Sequence, residues 1–177
     1  HLAVRRQRQM CIRDRTCVMS FGENDGAVGW LIGSENTGMA AMFTMMNNAR
    51  LNVGIQGVGL AEQATQIAMS YAADRFQGRA PDADRGDNTP VPIATHPDVR
   101  NMLMTRRSLT DAARAICYEN GVFHDLAHFG GDEKAKAFND LLTPISKAFS
   151  TDIANEVSSL GVQIHGGMGF IEETGIA

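Results

Sequence analysis

The chain has 177 residues and a mass of 19.1 kDa, which suits one domain and is short for two. Hydrophobic residues make up 44% of it and charged residues 20%, which excludes wholesale disorder, and no apolar run is long enough to cross a membrane. The formal net charge of −4 disfavours nucleic-acid binding, because phosphate recognition needs clustered Lys and Arg. Three cysteines are too few for a disulfide scaffold or a CxxC metal site, and this usage favours a reducing compartment.

Residues 1–15 differ from the rest of the chain, because they carry five Arg and a single acidic residue. The remainder then has 11 basic and 19 acidic residues, a net charge of −8. No apolar stretch follows the basic run, so the segment is not predicted to be a secretory signal peptide. We interpret residues 1–15 as a foreign or disordered basic segment, and a basic arm for nucleic acid is the alternative.

Residues 16–33 follow a strand, turn, strand pattern. Two short apolar runs, Cys17–Phe21 and Val28–Ile32, flank a turn-forming stretch that contains an Asp-Gly pair. A lone hairpin is marginal in water, so this one must pack on another element or form the edge of a larger sheet. We favour the edge of a sheet, and we assign residues 16–37 to the end of a β-domain.

Three helical stretches follow, each with apolar residues at the three- and four-residue spacing of a helix face. Thr95 is the predicted N-cap of the second stretch, Gly121 could kink or end it, and Pro144 is a candidate break in the third. A polar, Pro-rich loop separates the first two stretches. The predicted bounds are 39–79 for the first, 95–130 for the second and 132–164 for the third.

The pattern therefore predicts a mainly α fold, in which long antiparallel helices form a bundle over residues 38–177 and a short β-hairpin lies on the N-terminal side. Gly54, Gly57 and Gly59 fall within the first helix, where each costs about 1 kcal/mol relative to Ala. We therefore expect a neighbouring helix to approach closely at these three positions.

Two segments could bind an anionic ligand. Arg75 and Gln77, at the end of the first helix, offer a fixed cation and an amide donor that suit a diphosphate, and a solvated helix end is the alternative. The glycines of Gln163–Gly169 would let backbone N–H groups approach a ligand closely. A plain C-cap turn is the alternative there, although such a turn needs one Gly and this segment has three.

Other chemical motifs are weak. His124 and His128 have the spacing of two zinc ligands on one helix face, but no third ligand follows, so we predict no metal site and favour a polar helix end. The chain has no GxGxxG in a strand-to-helix context, no GxSxG and no Cys/His nucleophile pair. Cys117 is best interpreted as a small buried hydrophobe.

Several segments together resemble the acyl-CoA dehydrogenase family. Residues 42–79 (MFTMMNNARLNVGIQGVGLAEQATQIAMSYAADRFQGR) resemble the first long helix of its C-terminal domain, and residues 161–175 (GVQIHGGMGFIEETG) resemble its flavin-contacting turn. Residues 26–39 (GAVGWLIGSENTGM) resemble the end of its middle β-domain, and HPDVRNML at 96–103 also fits. The chain is identified as a member of this family, similar above all to the branch that includes the 3-methylmercaptopropionyl-CoA dehydrogenases.

The resemblance implies a bacterial, cytoplasmic flavoenzyme that forms homodimers or homotetramers and holds FAD between the β-domain and the helical bundle. It implies that a Glu removes the α-proton of an acyl-CoA thioester, that FAD accepts the β-hydride, and that an electron-transfer flavoprotein takes the electrons. The family's base lies beyond Ala177, so we name no catalytic residue and expect the chain alone to be inactive. A non-catalytic helical oligomerisation module is the alternative.

The resemblance also implies roles for individual residues. The family's flavin-contacting positions fall on Arg75, Phe76, Gln77, His96, Pro97, Gln163, Ile164, His165, Gly166 and Gly167. Its acyl-CoA-contacting stretch falls on Asn47, Asn48, Ala49 and Arg50. The chain departs from the family where Gln77 is followed directly by Gly78, since many relatives have Phe-Gly there, and where Asn47 replaces the Asp of some relatives.

Overall fold

The computed structural model describes residues 18, 20–23 and 25–176, so the predictions for residues 1–15 lie outside the described residues. The chain divides into two units, one that ends at Gly38 and one that starts at Met39. The regular elements of the described residues are α1 (Gly38–Asp74), β1 (Phe76–Arg79), β2 (Pro90–Pro92), α2 (Pro97–Phe129) and α3 (Glu133–His165). Short 3-10 helices cover Ile93–Thr95, Gly166–Phe170 and Glu172–Thr174.

The described residues between 18 and 37 form turns but no strand, so the hairpin predicted over residues 16–33 is wrong there. The Gly26 N–H donates to the Gly22 carbonyl at 3.1 Å, yet Val28, Trp30 and Ile32 are each at least 86% exposed. A hairpin that buries no apolar face lacks the main source of strand stability in water. The two-stranded sheet of the described chain lies instead at β1 and β2.

The three helices run in alternating directions. Thr65 of α1 contacts Thr110 of α2 through their hydroxyls at 3.4 Å, and Glu62 pairs with Arg114. The residue numbers of the contacts therefore fall along α1 as they rise along α2, so the two helices are antiparallel. Three residues, 130–132, join α2 to α3, and a connection this short makes two such long neighbours antiparallel. The predicted mainly α bundle of long antiparallel helices is therefore confirmed.

Small side chains fill the space between the helices. One cluster of buried residues joins all three helices and includes Ala61, Ala113 and Val157. A second cluster, which we call the alanine cluster, lies at the end of α1 and consists of Ala68, Ala72, Ile93 and Ile164. Within the described part of the chain, no helix combines the length and the apolar character that a membrane span requires.

Two of the three glycines for which a close helix contact was predicted lie where α3 approaches α1. A Cβ on Gly54 would stand 3.0 Å from the Ser146 carbonyl oxygen, and one on Gly57 would stand 2.6 Å from that of Ser150. The prediction is wrong for Gly59, which faces open space. Gly54 and Gly57 therefore set the distance between α1 and α3.

Helix α1 ends at Asp74, five residues before the predicted end at Arg79. The following residues form β1, which pairs antiparallel with β2 and brings Phe76 opposite Pro92. Gly78 has a φ of 70°, which a helix does not accommodate. Part of the segment predicted as a polar loop thus folds back onto the end of α1.

The predicted N-cap of α2 is one residue too early. His96 is the N-cap and Pro97 the first helical residue, while the Thr95 hydroxyl donates to the Pro92 carbonyl at 2.8 Å. Proline suits this position because its missing N–H would have no partner in the first turn. The 3-10 turn at Ile93–Thr95 uses the Thr95 side chain that would otherwise have capped the helix.

Helices α2 and α3 run without interruption through the two candidate breaks, Gly121 and Pro144. Asp132 caps the start of α3, since its carboxylate accepts the Lys134 N–H at 2.8 Å. Pro144 lies between buried Thr143 and Ser146, where packing against the other helices maintains the helix despite the lost backbone bond.

Candidate functional site

One cavity collects residues from four places: the end of α1, β1, the 3-10 turn before α2, and the end of α3 with the turn that follows. Its volume is about 410 Å³. It is lined by Tyr71, Arg75, Gln77, Ile93, Ile164, His165, Gly166, Gly167 and Met168. We call it the Arg75 cavity. Six of the ten predicted flavin-contacting residues line it, and they come from segments about 90 positions apart in the sequence.

The backbone fixes Arg75 at the rim of this cavity. Its N–H donates to the Tyr71 carbonyl at 2.9 Å, and its own carbonyl accepts the Ile93 N–H at 2.8 Å. Its exposed guanidinium has no hydrogen-bond or ion-pair partner among the described residues. The sequence has thus placed an uncommitted cation on a rigid backbone, an arrangement that suits an anionic ligand.

The turn at the end of α3 forms another part of the cavity lining. Gly166 has φ 58° and ψ −135°, a conformation that favours glycine, and its N–H bonds the Gln163 carbonyl. A Cβ on Gly166 or Gly167 would meet no other atom within 4 Å, so the space beside both glycines is open. An open backbone beside a cation can receive phosphate oxygens.

The other four predicted flavin-contacting residues do not line the Arg75 cavity. His96 lies next to it, where its Nε2 contacts the Gln77 carbonyl oxygen at 2.8 Å. Pro97 lines a neighbouring surface depression of about 500 Å³ at the start of α2. The Phe76 and Gln163 side chains are exposed outside both.

Sequence reasoning missed the aromatic lining of the Arg75 cavity. The Tyr71 and His165 rings stack with centroids 4.1 Å apart and planes at 20°. In the sequence, Tyr71 occupies one of the apolar positions of the first helical stretch. Its ring is half-buried, and its hydroxyl lies 3.5 Å from the His165 carbonyl oxygen, which it reaches as a donor. The position of a tyrosine one helical turn before Arg75 is the feature of the sequence that could have indicated this aromatic lining.

A second cavity lies near the other end of the bundle and holds part of the predicted acyl-CoA stretch. Its volume is about 370 Å³. It is lined by Thr44, Asn47, Asn48, Leu51, His124, His128, Asn139, Asp140 and Thr143. We call it the Asn47 cavity. Asn47 and Tyr71 are 24 residues apart on α1, so the two cavities are about 36 Å apart along the helix.

The structure divides the predicted acyl-CoA stretch between lining and supporting residues. Asn47 and Asn48 line the Asn47 cavity, whereas Ala49 and Arg50 are half-buried and do not. The Arg50 guanidinium donates to the Asn47 side-chain oxygen at 3.4 Å, which leaves the Asn47 amide N–H groups for other partners. The stretch therefore presents amide donors to this cavity.

The two histidines of the Asn47 cavity lie together. The His124 and His128 rings have centroids 4.2 Å apart, and His128 Nδ1 contacts the His124 carbonyl oxygen at 3.1 Å. Within the described residues, no three Asp, Glu, His or Cys side chains are grouped closely enough to hold a metal ion. Cys117 is buried and contacts the Ser150 hydroxyl at 3.2 Å, which fits the interpretation of Cys117 as a core residue.

Arg106 is the most unusual charged group of the bundle. Its side chain is fully buried, and none of its three guanidinium nitrogens has a hydrogen-bond partner. Burial lowers the pKa of Arg106 to about 10, because removal from water disfavours the charged form. Its Nη2 would lie 3.0 Å from a Cβ placed on Gly161, so Gly161 provides the space for the guanidinium.

Comparison with known proteins shows what the chain is similar to. A family model described as "Acyl-CoA dehydrogenase, C-terminal domain" matches residues 36–177. The chain is 51% identical over 165 residues to 3-methylmercaptopropionyl-CoA dehydrogenase of Ruegeria pomeroyi. The match covers 92% of the chain and 27% of that relative. It is 35% identical over 167 residues to a butyryl-CoA dehydrogenase of Syntrophomonas wolfei, which covers 89% of the chain and 27% of that relative.

Solved structures share the fold. Butyryl-CoA dehydrogenase of Megasphaera elsdenii matches with a TM-score of 0.61 and 24% identity over 80% of this chain and 32% of its own. An electron-transferring flavoprotein of Acidaminococcus fermentans matches with a TM-score of 0.64, the same identity and the same coverage.

The chain therefore belongs to the acyl-CoA dehydrogenase family and corresponds to its C-terminal helical domain, so the family and the branch indicated by the sequence are confirmed. It spans about 27% of the length of these curated relatives.

Proposed function

We propose that the protein is a flavin-dependent acyl-CoA dehydrogenase that oxidises an acyl-CoA thioester to the α,β-enoyl-CoA. Family membership supports this proposal, as do relatives whose names give acyl-CoA dehydrogenase activities. One structural observation carries it: the unpaired guanidinium of Arg75 and the open glycine turn at Gly166–Gly167 line the same cavity. They are far apart in the sequence and come together only in the folded bundle.

The residues of the Arg75 cavity fit the anionic diphosphate of FAD. Arg75 offers a forked donor that matches phosphate geometry, and the free Gln77 amide lies in the same lining. Across the cavity, Gly166 and Gly167 carry no side chain that would keep phosphate oxygens from the backbone. The described part of the chain holds no carboxylate in this lining that would repel an anion.

When bound, FAD supplies the redox chemistry by accepting the β-hydride of the thioester. The residues of this chain bind and orient the cofactor. His96 supports Gln77 by its contact with the Gln77 carbonyl, and Pro97 starts the helix that follows. Ile164, which lines the cavity, and Phe76 and Gln163, whose side chains lie outside it, complete the proposed flavin-contacting set.

We also propose that Asn47–Arg50 contacts the acyl-CoA. Asn47 and Asn48 present side-chain amides to the Asn47 cavity, and these can bond the amides and hydroxyls of a coenzyme A chain. Arg50 orients Asn47 through its bond to the side-chain oxygen, and half-buried Ala49 precedes Arg50 in the same helix. The acyl chain length that the protein accepts is not part of the proposal.

The partners follow from the same family. We propose that the protein assembles as a homodimer or homotetramer, passes electrons to an electron-transfer flavoprotein and works in the cytoplasm of a bacterium. Bacterial acyl-CoA dehydrogenases of the same family support this.

A chimaera tests the function. Residues 36–177 would replace the matching segment of the Ruegeria pomeroyi relative, to which the chain is 51% identical. The chimaera is expected to purify with FAD and to oxidise 3-methylmercaptopropionyl-CoA. Arg75→Ala should lose FAD on dialysis while its circular dichroism is unchanged, because the substitution removes a cation and no buried contact.

Arg85→Ala is the matched control, since Arg85 is also an exposed arginine without a partner among the described residues. It should retain FAD like the parent chimaera. A folded, oligomeric chimaera without flavin would instead support the oligomerisation module. Equal flavin retention by Arg75→Ala and Arg85→Ala would reject the assignment of Arg75.

A further inference from the structure

Tyr71 connects the two walls of the Arg75 cavity. On α1, its carbonyl accepts the backbone N–H of Arg75 at 2.9 Å. Toward α3, its ring stacks on the ring of His165 with the centroids 4.1 Å apart. A single residue thus contacts both the segment that carries the cation and the segment that carries the glycine turn.

The Tyr71 hydroxyl also reaches the first peptide plane of the turn. The His165 carbonyl accepts the Tyr71 hydroxyl at 3.5 Å, and that carbonyl shares a rigid plane with the N–H of Gly166. The Gly166 N–H in turn bonds the Gln163 carbonyl. Any rotation of this plane would have to break the bond on one side or the other.

The ring of His165 is itself held in place. It is only 5% exposed, and its Nδ1 lies 2.8 Å from the Gly161 carbonyl oxygen one turn earlier in α3. Stacking by Tyr71 covers one face of the ring, so its position depends on both contacts.

Tyr71 has a rigid support. Its ring packs against the alanine cluster, in which Ala68 and Ala72 are fully buried against Ile164. Because the side chains of Ala68 and Ala72 are small and have no rotamers, α1 and α3 lie close together behind the ring. The stack on His165 is therefore anchored in the core and not on a mobile surface.

From these contacts we propose that Tyr71 is a positioning residue: its stack and hydroxyl hold the His165–Gly166 peptide so that the glycine turn and Arg75 face one anionic group. That the anionic group is a cofactor diphosphate rests on the proposed function. The positioning itself rests only on the contacts of Tyr71, His165 and Gly166.

The test uses the 177-residue chain and its two tyrosines. Tyr71→Leu should remove the ring-current shift of the His165 imidazole protons in the NMR spectrum. It should also raise hydrogen exchange at the Gly166 and Ile171 amides, both of which are bonded in the turn, by about tenfold. Exchange in the middle of α3 should be unchanged.

Two further variants separate positioning from general packing. Tyr118→Leu is the matched control, because Tyr118 is the other tyrosine and is 62% exposed. It should change neither signal. Tyr71→Phe should retain the ring-current shift and show a smaller rise in exchange, since the stack remains and only the hydroxyl is lost. Unchanged turn amides in Tyr71→Leu, or equal changes in Tyr118→Leu, would overturn the proposal.

If Tyr71→Leu does not fold, His165→Ala tests the same contact from the other side. It should shift the Tyr71 ring protons and loosen the Gly166 and Ile171 amides, and an unchanged spectrum there would equally overturn the proposal.

The last experiment uses ADP as the probe. Weaker ADP binding by Tyr71→Leu than by Tyr71→Phe supports both the diphosphate site and the positioning of the turn by Tyr71. Equal ADP binding by the two variants contradicts a role of Tyr71 in the Arg75 cavity.

Absence of ADP binding by the parent chain, combined with loosened turn amides in Tyr71→Leu, would count against the proposed diphosphate site. It would leave the positioning of the turn by Tyr71 supported, because that result depends on exchange and ring-current shifts alone.

Discussion

The two cavities of the bundle are built in different ways. Around the Arg75 cavity, main-chain bonds set the geometry, such as the one from Ile93 N–H to the Arg75 carbonyl. Behind the Asn47 cavity, buried side chains do so: the Asn139 amide donates to the Asn120 side-chain oxygen at 2.9 Å, and the Thr143 hydroxyl donates to the Asn139 carbonyl at 2.7 Å.

This difference predicts where each cavity is vulnerable. A site fixed mainly by main-chain bonds tolerates many side-chain changes but depends on its glycines, on close helix contacts and, here, on the stack of Tyr71 on His165. A site fixed by buried side-chain bonds loses its geometry when one partner is removed, since the other partner is left unsatisfied away from water. Substitutions that affect one cavity and spare the other would confirm the distinction.

The largest effect is expected at Gly57, which lies between the two cavities where α1 meets α3. A Cβ in Gly57→Ala would stand 2.6 Å from the Ser150 carbonyl oxygen and force the helices apart, so we expect a loss of about 3 kcal/mol in unfolding free energy. Urea unfolding measures it. Gly59→Ala, on the open side of the same helix, should gain about 0.5–1 kcal/mol, and equal losses in the two variants would contradict the close contact.

Arg106→Met should stabilise the chain. The substitution removes a buried cation without a hydrogen-bond partner and leaves a shorter, unbranched apolar side chain, so we expect a gain of about 1–3 kcal/mol. The pKa of Arg106 is lowered in the folded state, so the unfolded state binds more protons above about pH 10 and the cost of the charge decreases as the pH rises further.

The advantage of Arg106→Met over the parent chain should therefore be full at neutral pH and shrink above pH 10. Thermal unfolding at both pH values measures this. Arg107→Met is the control, because Arg107 is half-exposed and pairs with Asp111 at 2.7 Å. A parent chain more stable than Arg106→Met at neutral pH would mean that the guanidinium has a partner.

Asn120→Ala should damage the Asn47 cavity alone. The substitution removes the nearest acceptor of the buried Asn139 amide, at 2.9 Å, and leaves only two acceptors at 3.5 Å, for an expected loss of about 1–3 kcal/mol. Amide exchange should rise around the cavity and remain unchanged at Gly166. Asn155→Ala removes an exposed amide that donates to the Thr151 carbonyl at 3.0 Å, and it should cost much less. Loosening at both cavities would contradict their independence.

The smallest effect is expected at Glu62, in the ion cluster between α1 and α2. A hydrogen bond from Gln66 lowers the pKa of the Glu62 carboxyl, and Arg114 contributes. Because the pKa of Glu62 is lower in the folded state, the carboxylate stabilises the fold at every pH above the ordinary pKa of Glu. This stabilisation is lost as the pH falls through the lowered pKa of the folded state. Glu62→Gln should cost at most about 1 kcal/mol, since the pair is partly exposed.

Urea unfolding at neutral and acidic pH checks this prediction. Glu156→Gln, at an exposed acid of α3, is the control and should be neutral. A cost for Glu62→Gln that persists at acidic pH would show that packing, and not charge, is responsible.

The sequence predicted the helices well because their apolar spacing is a local property that burial in the bundle then satisfied. It also predicted the close approach at Gly54 and Gly57, since glycines three residues apart destabilise a helix unless another helix packs closely against them. The end of α1 was predicted five residues too late, because the pairing of Phe76 with Pro92 is a tertiary contact that periodicity does not report.

The candidate site was predictable only in part. The proposal that Arg75 and the glycines at 166–167 bind an anionic ligand follows from residue type alone, and the resemblance joined the two. The stack of Tyr71 on His165 was missed, because a tyrosine at an apolar helical position has the same pattern whether it packs in the core or supports a turn. Only the fold brings the two rings together.

The most direct test of the account is whether Arg75 and the glycine turn bind one anion together. Pyrophosphate would be titrated into the ¹⁵N-labelled 177-residue chain, with the signals of Arg75 Nε–H and of the Gly166 and Gly167 amides followed by NMR. The account predicts that all three shift with a single dissociation constant, and that Arg75→Gln abolishes the shifts at both glycines. Shifts at Arg75 alone, at the glycines alone, or at neither would contradict it.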